Sequence, residues 1–163
     1  MKHTISILVE NHAGVLSRVS GLFSRRGFNI DSLAVGVTDD PAISRITIVA
    51  DGDEHTAQQI EKQLNKLVDT IKVRTLSPEE LLSRELQLIK ISAVPSQRNE
   101  VLAICNIMGA KIADITPTTL TIEISDTTPN LTKFQELISG YGIKEIVRTG
   151  TIAIQKGAET IRK

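Results

Sequence analysis

Tryptophan is absent from the 163-residue chain, and aromatic residues make up only 2% of it. A module that stacks nucleic-acid bases on exposed rings therefore lacks its platform. Net charge is missing too: 19 basic residues balance 19 acidic ones, without the positive excess needed to grip phosphate backbones. With one cysteine, Cys105, an internal disulfide and a cysteine metal cluster are excluded. Its spacing with Val101, Ile104 and Met108 reads as a small buried hydrophobe on a helix. The histidines, His3, His12 and His55, show no metal-ligand spacing with one another. No apolar run approaches the roughly 18 residues of a membrane span, and the opening MKHTISILVEN meets charge too early for a signal peptide. A cytoplasmic protein is expected. No Walker A pattern, dinucleotide fingerprint or Ser-His-Asp spacing occurs, so no catalytic residue and no metal ligand is assigned.

What is present is repetition. Ile5, Ile7 and Val9 alternate as in a strand, and Val15, Leu16, Val19, Leu22 and Phe23 form one helical face. A second strand begins near Asn29 and continues through Leu33, Val35 and Val37. The turn Thr38 to Pro41 leads into a third strand with Ile46, Ile48 and Ala50. Asp53 caps a helix bearing Ala57, Ile60, Leu64 and Leu67, and Ile71, Val73 and Thr75 alternate in a fourth strand. The same βαββαβ order recurs from Leu86: a strand to Ala93, a helix opened by Pro95 and Ser96, strands at 111–115 and 120–124, a helix with Leu131, Phe134 and Ile138, and a strand at 143–148. The expected fold is α+β, two tandem ferredoxin-like domains. Residues 1–76 form the first domain and 85–163 the second, whose short charged tail, from Lys156, is expected to fray. Between them, 77–84 is a linker in which Ser77, Pro78, Glu79 and Glu80 resemble a capping box and place Leu81 and Leu82 in a short helix. Apolar residues in excess of what the helices cover, such as Leu8 and Leu88, predict exposed sheet faces that seek a partner.

The loop between the first strand and helix, Asn11 to Gly14, bears on function. A helix start offers N–H groups without intrahelical acceptors and a partial positive charge, a fitting place for a small carboxylate. Gly14 lets a ligand approach the backbone closely, and the Asn11 amide can accept from an ammonium group or donate to a carboxylate. The same residues also suit an ordinary helix cap and turn, with His12 solvated.

The run ISILVENHAGVLSRVSGLFSRRGFNIDSL resembles an ACT domain, the amino-acid-sensing unit of many biosynthetic enzymes. More specifically, GLFSRRGFNIDSLAVGVTDDPAISRITIV, then QIEKQLNKLVDTIKV, REL and LIKI resemble the small regulatory subunits of acetolactate synthase, over essentially the whole chain. The resemblance implies no chemistry and no cofactor on this chain. Thiamine diphosphate, magnesium and FAD belong to a large catalytic subunit that joins two pyruvates, or pyruvate and 2-ketobutyrate, in branched-chain amino-acid synthesis. It also implies a homodimer through the first domains, activation of the catalytic subunit and feedback inhibition by an amino acid, usually valine. By position, Asn11, His12, Ala13, Gly14, Val15 and Leu16 meet the effector from one protomer, and Asn29 and Ile30 from the other. Val15, Leu33 and Val35 are candidates for its apolar cup. The second domain has Val94 to Arg98 in place of the Asn-x-x-Gly loop, so no effector is expected there. The alternatives are a free-standing amino-acid sensor and a structural dimerisation module.

Overall fold

In the first repeat, strand β1 (Lys2–Glu10) leads to helix α1 (Val15–Arg26), strands β2 (Ile30–Val37) and β3 (Ile43–Asp51), helix α2 (Glu54–Leu64) and strand β4 (Thr70–Leu76). The structure is a computed structural model and describes residues 1–162. The sheet order is β2-β3-β1-β4, with antiparallel neighbours, as the ferredoxin-like arrangement requires. Because side chains alternate across a strand, Ile5, Ile7 and Val9 of β1 face one way. They meet Val15, Val19, Leu22 and Phe23 of α1, Ile60 and Leu64 of α2, and Ile46 and Ile48 of β3 in one core. Helix α1 stops at Gly27, whose left-handed φ of 69° lets Phe28 N–H return to Phe23 O. Asp53 caps α2 by accepting from Thr56 N–H at 2.7 Å.

The second repeat comprises β5 (Leu81–Ser92), α3 (Arg98–Met108), β6 (Lys111–Ile115), β7 (Thr119–Asp126), α4 (Thr128–Ile138) and β8 (Ile143–Arg148), in sheet order β6-β7-β5-β8. Ile89, Ile91, Leu120, Ile122 and Ile124 pack on Val101, Cys105, Leu131, Phe134 and Ile138. Burial pushes the Cys105 thiol pKa up, in keeping with an inert core residue. The α+β, tandem ferredoxin-like fold therefore holds for both repeats. Among the described residues, no helix is long and apolar enough to cross a membrane.

Three details differ from the sequence expectation. Leu81 and Leu82 are not helical but begin β5. Ser77 to Glu80 closes a turn through Glu80 N–H to Ser77 O, and the two-residue alternation that follows outweighs the capping-box pattern. The chain also divides into two compact units that do not follow the 76/85 boundary: Met1–Ser83 together with the described residues from Thr151 onward, and Arg84–Gly150. Strand β9 (Ile152–Gln155) pairs with β5, whose residues 81–83 lie in the first unit. The tail expected to fray is instead anchored there. Ile161 is 6% exposed, Arg162 pairs with Asp39, and Arg45 Nη2 donates to Ala153 O at 2.8 Å. Leu8, on the sheet face away from the helices, is accordingly only 7% exposed. Lys163 lies outside the described residues.

Candidate functional site

A glycine shapes the start of α1. Gly14 occupies its N-cap at φ 88°, a left-handed conformation that residues with a Cβ avoid, and no side chain among the described residues caps the helix. The first turn contains no acidic residue. The N–H groups of Val15, Leu16 and Ser17 thus form an unfilled donor set at the positive end of the dipole. Val15 is buried in the core, whereas Ala13 and Leu16 are exposed beside the loop. Asn11 does not cap the helix. Its backbone N–H donates to Ala42 O at 2.8 Å and its Nδ2 to Pro41 O at 2.9 Å, bracing the loop against the β2–β3 turn. Its Oδ1 has no partner among the described residues.

Around this loop lies a charge cluster. His12 Nε2 is 3.0 Å from Asp69 Oδ1 and 3.2 Å from Glu10 Oε2, and its Nδ1 is 3.2 Å from Ala13 O. The Ala13 carbonyl, followed by the Glu10 and Asp69 carboxylates, raises the His12 pKa against the opposing effect of desolvation. Arg18 Nε donates to Asp69 Oδ2 at 2.5 Å. A Cβ placed on Gly14 would come within 3.0 Å of Arg18 Nη1, so that guanidinium stands over the helix start. Glu10, His12 and Asp69 bring ligand atoms within 4.8 Å of one another, a set that could hold a divalent cation. With Arg18 on Asp69 and His12 biased towards its charged form, the cluster is arranged as an ion-pair network.

Asn29 and Ile30 lie at the other end of α1. Twelve helical residues span about 18 Å, so one chain does not bring Asn29 to Asn11. Asn29 Nδ2 donates instead to Asp31 Oδ1 at 3.2 Å, and half-buried Ile30 packs against the first core. Leu33 also packs there, while Val35 is exposed.

Residues 5–72 match the family model described as an AHAS small subunit-like ACT domain, and residues 84–157 match the one for the small subunit of acetolactate synthase. The chain is 46% identical over 160 residues to a probable acetolactate synthase small subunit of Methanothermobacter thermautotrophicus, covering 98% of this chain and 95% of that one. It belongs to the acetolactate synthase small-subunit family. The acetolactate synthase small subunit of Haemophilus influenzae is 46% identical over 162 residues, with 99% of each chain covered. The crystal structure of the acetolactate synthase small subunit from Thermotoga maritima superposes with a TM-score of 0.91 at 37% identity, over 98% of this chain and 99% of that one.

In this acetolactate synthase small-subunit chain, the ACT-domain match includes the whole Asn11–Leu16 loop as well as Asn29 and Ile30. Sequence reasoning overlooked Glu10, Arg18 and Asp69 as neighbours of that loop. Asp69 is 51 residues from Arg18 and reaches it only through the sheet, where Glu10 N–H donates to Asp69 O. Arg18 did carry a signal: a basic residue one turn into a helix opposes the dipole preference, which marks a place suited to an anion.

Proposed function

We propose that this chain is the regulatory subunit of an acetolactate synthase, acting in the cytoplasm to raise the activity of a separate catalytic subunit and to make it sensitive to valine. The observation that carries this reading is the uncapped start of α1 beside Asn11, set within an ACT domain. Valine is a zwitterion with a compact branched side chain, so its site needs donors for the carboxylate, an oxygen for the ammonium and a small apolar wall. The first-turn N–H groups and Arg18 meet the carboxylate, Asn11 Oδ1 accepts from the ammonium, and the exposed Leu16 borders the side chain.

Because α1 separates Asn11 from Asn29, a site that uses both takes Asn29 and Ile30 from a second copy. Strand β2 offers the means. It is an edge of the first sheet, with Val35 and Val37 48% and 60% exposed, and a two-fold pairing of first units covers such an edge twice. Thiamine diphosphate, magnesium and FAD reside on the catalytic partner, which joins two pyruvates, or pyruvate and 2-ketobutyrate. By linkage, valine binds the inhibited assembly more tightly than the active one, with a coupling of about 1–3 kcal/mol.

The test is reconstitution. Added to its catalytic subunit, the chain raises acetolactate output and valine lowers it again. Gly14→Asp is expected to keep the activation and lose the valine response, because a side chain there is strained at φ 88° and sets its own carboxylate against Arg18, where the effector's would lie. Full valine sensitivity in that variant overturns the site. If the chain neither co-purifies with nor activates a thiamine-dependent partner, the function itself is overturned in favour of a lone sensor or structural dimer.

A further inference from the structure

The first unit contains a cavity of about 270 Å³ on the sheet face away from its helices, between that face and the chain's own C-terminal segment. Register explains its chemistry. Cross-strand partners point to the same face, so Leu8 with Arg45, and Ser6 with Arg74, project opposite to Ile5 and Ile7. Residues 154–162 supply the other wall, including Glu159, Ile161 and Arg162. Three arginines therefore line the space against one glutamate, in a chain whose overall charge is zero.

Those arginines are unequally satisfied. Arg162 is paired with Asp39, outside the lining. Arg74 donates to Gln155 Oε1 at 2.5 Å, and its approach to the exposed Glu159 is a loose 3.7 Å. Arg45 has no carboxylate partner among the described residues. It gives Nη2 to Ala153 O, and its Nε is buried with no acceptor among the described residues. A guanidinium partly withdrawn from water without an anion is costly, and burial lowers the Arg45 pKa accordingly. The buried Ser6 Oγ on the same face also lacks a partner among the described residues.

We propose that this cavity is a binding site for a small oxyanion, a phosphate or carboxylate group on a compact metabolite, held by Arg45 and Arg74. It is separate from the Asn11–Leu16 loop and stands whether or not the chain responds to valine. The volume admits a ligand of metabolite size, and two guanidinium groups on strands flanking β1 offer paired donors to an oxyanion.

The experiment titrates the full chain with inorganic phosphate and, separately, with succinate, against chloride at equal ionic strength, following melting temperature and calorimetric heat. Saturable stabilisation beyond chloride is expected; phosphate acting alone assigns a phosphate group, and succinate acting alone a carboxylate. Arg74→Gln is expected to weaken binding about tenfold or more, the scale of one charge-assisted hydrogen bond. Arg74→Lys, which keeps the charge and guards against a folding defect, should retain part of the binding. Arg26→Gln, at the exposed end of α1, should leave it unchanged. No saturable effect of either anion, or equal weakening by Arg26→Gln and Arg74→Gln, overturns the proposal.

Discussion

The two repeats share an element order but differ where the first strand hands over to the first helix. In the first, Asn11 to Gly14 forms an open loop, and α1 starts uncapped at a left-handed glycine. In the second, Pro95–Gln97 winds a single 3-10 turn directly into α3, and Arg98 crosses back to Ala93 O and Thr116 O. The second repeat thus runs a proline turn into its helix and ties it back with an arginine, where the first has only a glycine and an open loop. One topology serves both, and a handful of loop residues decides how each helix begins.

The comparison is broken most severely in the cores. Phe23 and Phe134 are both buried almost completely, so Phe23→Ala and Phe134→Ala should each cost about 3–5 kcal/mol in denaturant unfolding. A loss well below that in either would show that its core collapses around the gap. Next come the buried carboxylates. Glu85 is 1% exposed and takes both of its ionic hydrogen bonds from Arg148, so Arg148→Met should cost about 3 kcal/mol. Arg18→Met should cost less, since His12 still meets Asp69, and equal losses would remove that distinction.

The handover loops come third. Gly14→Ala forces a Cβ into φ 88°, at about 1–2 kcal/mol. Its Cβ would meet only the far end of the Arg18 side chain, at 3.0 Å, so backbone strain rather than collision dominates the cost. Pro95→Ala, at an ordinary first-turn position, should change stability by under about 1 kcal/mol. The smallest effect is that of pH. The folded-state pKa of His12 is raised above 6.5, so its contribution is fully present below 6.5 and fades as pH rises through the raised value. His12→Gln should flatten this slope in melts between pH 6 and 8, and an unchanged slope would assign it to another group.

The element order was legible because each helix carries a clean apolar stripe and most strands alternate, signals that lie within a few residues. Leu81 and Leu82 were misjudged for the same reason, since a local capping pattern competed with alternation that becomes clear only further along β5. The return of residues 151–162 to the first sheet was not legible at all. Ala153 meets Arg45 across 108 residues, and nothing near Ala153 names its partner. At the candidate site, Asn11 to Leu16 lie together because they are contiguous, and their part in binding is what the valine titration tests. Asp69 had to be delivered by folding.

That return has a consequence for biosynthesis. Arg84–Gly150 is an uninterrupted stretch, so its core closes without any segment from elsewhere in the chain. The first unit emerges earlier from the ribosome yet needs residues from Thr151 onward to cover its sheet. Although domains commonly mature in the order in which they are made, this chain should finish its middle before its beginning.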